Sequence, residues 1–285
     1  MFRGFLLSYG YFITTGTEKF REDFTKFADI CFREFGDRVS YWTTIDEPNV
    51  GAIGSYDNGI IAPGHCSDPF GTTKCTIGDS TVEPYIAAHN MLLAHASATR
   101  LYREKYQAVQ KGVVGLNIYS LWAYPFSNST VDLEATKRCM DFTFGWVLQP
   151  LMSGDYPERM KKNIGSRLPS FTRAQSEAVI GSVDFIGINH YFSVYVNDRP
   201  LDKGVRDYTA DLSITYKTSK IDPPAGKSSK IMGVVCMFQV VTYRQHLWIA
   251  VSPNVLSHRP QRIATCVIVP ERSLWRHSHL YPREW

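Results

Sequence analysis

The six cysteines include no CxxC pair, which argues against a zinc site and against thioredoxin-like redox chemistry. No run reaches the roughly 18 consecutive apolar residues that a membrane span requires, so the chain is expected to be soluble or peripheral. The first 200 residues lack a basic stripe; 31 Lys and Arg against 27 Asp and Glu leave a formal net charge of +4, without the clustered positive charge of nucleic-acid binders. The expected partner is a small neutral molecule, with neither nucleic acid nor membrane. The opening "MFRGFLLSYGYFITTG" carries one Arg and a short apolar stretch interrupted by Ser8, Tyr9 and Gly10, so it makes no convincing signal peptide.

What is present suffices for a sizeable core: 285 residues, 44% of them apolar. In "EDFTKFADICFREFG" the side chains of Phe24, Phe27, Cys31 and Phe35 recur at three- and four-residue steps, which predicts an amphipathic helix closed by Gly36. "RVSYWTTIDEP" is β-branched and aromatic and stops at Pro48, a buried strand ending at Glu47. Ser80 and Glu83 have capping-box spacing ahead of a long helical stretch that runs to Gly112. His89 and His95, six apart on it, are poorly spaced as paired ligands and read as packing or surface residues. Strands follow in "GVVGLNIYSLWAYP" and "VDFIGINHYFSVYV", with helices between. This alternation predicts parallel α/β units with helices covering the sheet. The strands begin near residues 40, 113 and 183. At about 70 residues per unit, an eight-unit barrel exceeds this chain, so a barrel here is partial.

Cys66 and Cys75 lie close together in a Gly/Pro/Ser/Thr-rich loop, where a disulfide can staple the excursion in an oxidising compartment; two free thiols are the plainer alternative. Asn128-Ser129-Thr130 is a glycosylation sequon. From Lys227 onward the chain has eight Lys/Arg against two Glu, holds four of the eight His, and lacks helical periodicity. It reads as sequence not selected to fold, such as a read-through or frame-shifted end, with a basic tail for an acidic partner as the alternative.

A charge between a strand and a proline singles out Glu47. By pattern alone it caps a neighbouring helix or meets an Arg. "WTTIDEPNV", however, resembles the T-x-N-E-P signature of glycoside hydrolase family 1, the β-glucosidases. "EDFTKFADICFREFGDRVSYWTTIDEPNV", "APGHC", "EPYIAAHNMLLAHASATRLYREKYQ", "GDYPERM" and "DFIGINHY" also resemble plant members, in the family's order, from Glu22 to Gly226.

The resemblance implies a (β/α)8 TIM barrel of which this chain covers about strands four to six. Its expected parts are an atypical segment 1–21, the partial barrel 22–226 and an unrelated, poorly ordered tail 227–285. It implies retaining hydrolysis of β-glucosides, with no cofactor or metal. In that reaction one carboxylic acid protonates the leaving oxygen while a second carboxylate about 5 to 5.5 Å away attacks the anomeric carbon. Glu47 matches the acid. Asp46 stands where most members have an Asn that donates to the sugar 2-hydroxyl; an ionised Asp only accepts, so that contact inverts. Asn189 and Tyr191 match a substrate-side asparagine and the tyrosine that bonds the nucleophile, and they share one face of their strand, with His190 on the other. A buried structural amide is the plainer reading of Asn189. Trp122 falls where the family shapes its aglycone site, with core packing as the alternative.

The nucleophile has no counterpart. The family's T-E-N-G motif is absent, and no glutamate lies between Glu177 and Glu271; Glu271 follows an apolar run but matches nothing around the family's glutamate. The resemblance further implies a secreted or vacuolar parent, and a half barrel implies open edges that favour self-association. Three functions stay open: an inactive piece of a β-glucosidase, a non-catalytic chain that binds protein or sugar, and a transferase using an acceptor other than water.

Overall fold

The computed structural model describes residues 2–5, 17–217, 236–243, 246–251 and 268–269, with side chains from 18 to 217. In chain order the elements are β1 (Phe2–Phe5), α1 (Thr17–Phe35), β2 (Val39–Asp46), α2 (Pro48–Tyr56), α3 (Glu83–Lys105), α4 (Gln107–Gln110), β3 (Val113–Pro125), α5 (Thr130–Met140), a π-helical turn (Asp141–Gly145), α6 (Trp146–Ser153), α7 (Glu158–Ile164), α8 (Arg173–Val179), β4 (Phe185–Asp198), α9 (Tyr208–Leu212) and β5 (Ile214–Lys217). Strands β6 (Cys236–Tyr243), β7 (His246–Val251) and β8 (Ile268–Val269) follow.

Strands β1 to β4 are parallel neighbours, with Trp42 of β2 opposite Val114 of β3 and Gly115 of β3 opposite Phe185 of β4. The three predicted strands are therefore β2, β3 and β4, joined through helices as parallel strands require. Beyond β4 the direction changes, since β6 pairs with it antiparallel and β7 and β8 continue antiparallel. Gly115 has a steric reason: a Cβ there would collide with the Phe185 carbonyl oxygen.

The helix predicted before β2 forms, but with a different inward face. Phe20, Phe24, Ala28 and Phe32 are buried, one row at four-residue steps, whereas Phe27 and Phe35 are 47% and 48% exposed. The Phe32 ring decides the rotation: it meets Trp42 of β2 at 4.9 Å and Tyr102 of α3 at 4.8 Å, both edge-on, an arrangement favoured by the ring quadrupoles.

The Ser80–Glu83 capping box does not form; α3 starts after Val82 without a side-chain cap. The Ser80 hydroxyl donates to the Asp57 carbonyl (2.7 Å) and accepts the Ser67 amide (2.9 Å), while the Glu83 carboxylate meets His65 Nδ1 at 2.9 Å. Both residues are occupied by the long loop that precedes the helix. A capping box does form at Thr172 and Gln175, opening α8. The loop is stapled by a Cys66–Cys75 disulfide, Cα atoms 5.4 Å apart. His89 and His95 are buried packing residues, bonded to the Tyr156 hydroxyl (2.9 Å) and the Thr44 hydroxyl (2.6 Å). Much of segment 1–21, and the 227–285 tail apart from β6, β7 and β8, lies outside the described residues, as does Glu271.

Candidate active site

Strand β2 delivers Asp46 and Glu47 to its carboxyl end, the edge at which parallel α/β folds collect reactive groups. Glu47 then turns the chain. Its backbone sits at φ 50°, ψ 56°, a left-handed conformation unfavourable for a residue with a Cβ. The turn is held from both sides: the Glu47 amide donates to the Asn117 carbonyl of β3 (2.9 Å), and its carbonyl accepts the Gly51 amide (2.9 Å). Pro48 opens α2 at a position where the missing N–H costs nothing.

Among the described residues the Glu47 side chain neither caps α2 nor pairs with an Arg. It points across the sheet to β4, where the Tyr191 hydroxyl donates to Oε1 at 2.6 Å and Asn189 Nδ2 donates to the same oxygen at 3.0 Å. Asn189 Nδ2 also donates to Asp46 Oδ1 at 3.0 Å, so one amide bridges two adjacent carboxylates. Its Oδ1 is buried with no hydrogen-bond partner among the described residues. Tyr191 stacks on Tyr119 of β3 with ring centroids 5.1 Å apart. Burial, then the neighbouring Glu47 charge, pushes the Tyr119 phenol up. The Tyr191 phenol is also pushed up, by burial and then by its bond to the Glu47 carboxylate. Both phenols therefore stay protonated at neutral pH, and Tyr191 remains a donor to Glu47.

Four expected residues thus converge: Asp46, Glu47, Asn189 and Tyr191. Trp122 lies further along β3, opposite Ser193 and 47% exposed, so its face is open to solvent and not part of the core. Asn128 is exposed just before the Ser129 cap of α5. Sequence reasoning missed Tyr119 and Asn49. Tyr119 is one aromatic among many in β3, and Asn49 resembles any helix-start amide. Among the described residues no three His, Cys, Asp or Glu converge as a metal site would need. Chemically the cluster offers one carboxyl placed to give or take a proton and a second beside it. The strand bonded next to β4, Cys236–Tyr243, contains no Asp or Glu.

The profile of glycosyl hydrolase family 1 matches residues 6–263. The chain belongs to that family. Among curated relatives it is 69% identical over 208 residues to beta-glucosidase 5 of Oryza sativa subsp. japonica, covering 73% of this chain and 40% of that protein. It is 56% identical over 211 residues to a cyanidin 3-O-glucoside 7-O-glucosyltransferase (acyl-glucose) of Delphinium grandiflorum, covering 72% and 42%. A rice beta-glucosidase crystal structure superposes with a TM-score of 0.72 at 39% identity, over 78% of this chain and 48% of that one. A beta-glucosidase from the fungus Humicola insolens, solved in complex with glucose, gives 0.66 at 36%, over 70% and 41%. The chain spans about 40% of the length of the curated relatives it matches. The four parallel strands with their helices are accordingly part of a family 1 TIM barrel.

Proposed function

We propose that this chain is the proton-donor portion of a retaining β-glucosidase acting on terminal β-D-glucosyl residues, and that these 285 residues alone turn over negligible substrate. The observation that carries the reading is Glu47, held in a left-handed turn at the end of a parallel strand with its carboxylate bonded to Tyr191 and Asn189. Glu47 protonates the leaving oxygen, Asn189 and Asp46 meet sugar hydroxyls, and Trp122 offers a face to the aglycone. In the retaining mechanism a second carboxylate must attack from about 5 to 5.5 Å; no T-E-N-G glutamate is present, and β6 brings no carboxylate beside β4. Without the displacement partner the covalent route is closed. The test is an aryl β-glucoside assay of the chain and its Glu47→Gln variant: no turnover is expected from either, and turnover that vanishes in Glu47→Gln would overturn the inactivity while upholding the proton donor.

Two further readings have an observation behind them. Transfer of glucose to an acceptor other than water is favoured by the likeness to the Delphinium transferase, and product analysis with an added alcohol acceptor separates it from hydrolysis. A non-catalytic role in binding another chain is favoured by the outer edge of β1, which pairs only with β2 among the described strands. Self-association through that edge predicts a mass in solution above 32.4 kDa. The disulfide and the exposed Asn128 sequon support a secreted or vacuolar parent.

A further inference from the structure

Two residues beyond Glu47, Asn49 is 2% exposed and spends both amide hydrogens on other elements. Nδ2 donates to the Tyr119 carbonyl of β3 at 3.0 Å and to the Thr143 carbonyl at 2.8 Å. The second acceptor belongs to the π-helical turn Asp141–Gly145, a rare geometry that releases carbonyls from the regular helical ladder. Its Phe142 carbonyl is likewise taken, by the Tyr208 hydroxyl at 3.1 Å. The first turn of α2 is therefore pinned to β3 and to the π turn by a side chain whose two hydrogen bonds go to neither Glu47 nor Tyr191.

The strained turn at Glu47 needs such a pin. A left-handed non-glycine residue is strained and persists only where its surroundings over-determine it. The Glu47 amide is held on β3 through Asn117, and Asn49 holds the next turn on the same strand two residues further along, at Tyr119. Tyr119 is also the residue whose ring stacks on Tyr191. One side chain thus fixes the backbone that aims the carboxylate and the strand segment that supports its hydrogen-bond donor.

We propose that Asn49 is a positioning residue for Glu47, acting through the α2–β3–π-turn clasp to hold the carboxylate on the Tyr191 hydroxyl. The inference rests on Glu47 as proton donor for its significance, but its test reads geometry at rest and is independent of turnover.

The experiment uses the full 285-residue chain with tyrosines labelled by 13C at Cζ, Tyr191 being assigned by Tyr191→Phe. At neutral pH, Glu47→Gln calibrates how far the Tyr191 signal moves when the charged acceptor is lost. Asn49→Ala should reproduce most of that movement, leave the core Tyr102 signal in place, and make Tyr191 insensitive to a further Glu47→Gln change. Asn49→Ser, which keeps one donor, should give a smaller displacement. A folded Asn49→Ala chain whose Tyr191 still responds fully to Glu47→Gln would overturn the proposal. So would loss of folding in both Asn49 variants, which would assign Asn49 to the core alone.

Discussion

The two ends of α2 each carry a carboxylate, and they are handled in opposite ways. At the amino end Glu47 is half-buried, its backbone is strained, and neutral donors from β4 meet its side chain. At the carboxyl end Asp57 is 3% exposed, its backbone has a negative φ of −117°, and its Oδ1 has no hydrogen-bond partner among the described residues. Burial, then the negative charges of Asp207 and Asp211, pushes the Asp57 carboxyl up to about 8. Asp211, fully buried, has what Asp57 lacks: Arg167 Nη2 at 2.6 Å, Arg206 Nε at 2.7 Å and the Tyr85 hydroxyl at 2.7 Å. A perturbed buried acid is thus not by itself a functional acid. What separates the ends is placement, since Glu47 lies at the carboxyl edge of the sheet beside Asn189 and Tyr191 of β4.

The largest test of this contrast removes the compensation around Asp211. Arg167→Ala leaves a fully buried carboxylate short of a cation, and a loss of ~3 kcal/mol or more is expected in denaturant unfolding; an unchanged midpoint would mean that Arg206 and Tyr85 suffice. Next comes Asp57. Its folded-state value lies above the unfolded value of 3.8, so the folded chain binds more protons, and the contribution is fully present below about pH 4. Stability is therefore lost as pH rises from there through about 8, by at most ~1.4 kcal/mol per pH unit. Melting followed from pH 5 to 9 should show this decline, and Asp57→Asn should flatten it; an equal slope in the variant would remove Asp57 from the account. The smallest effect concerns the strained end. Glu47→Gly and Glu47→Ala both delete the carboxylate, but only glycine accepts φ 50° without strain, so the glycine variant should be more stable by ~1 kcal/mol. Equal melting of the two would show that the turn relaxes once its side chain is gone.

The central residues were legible in sequence for two reasons. The strand-proline junction marks Glu47, and the period-two alternation of β4 puts Asn189 and Tyr191 on one face. Errors arose where one local pattern had two uses. Ser80 and Glu83 have the spacing of a helix cap, but the disulfide loop claims both. In α1 two apolar rows compete, and the Phe32 contacts with Trp42 and Tyr102 choose between them. Asn49 and Tyr119 gave no signal, because what distinguishes them is a carbonyl or a ring contributed by an element distant in sequence.

By itself the sequence determined the order of strands and helices, the family, and the position of a carboxylate at the end of β2, because periodicity and long motifs are written along the chain. Only the tertiary structure decided which face of α1 turns inward, the left-handed turn at Glu47, and the partners of its carboxylate. It also decided the protonation of Asp57 and the antiparallel neighbour of β4. Each of these depends on which distant groups share a dielectric, a hydrogen bond or a van der Waals contact, and chain order does not encode those distances.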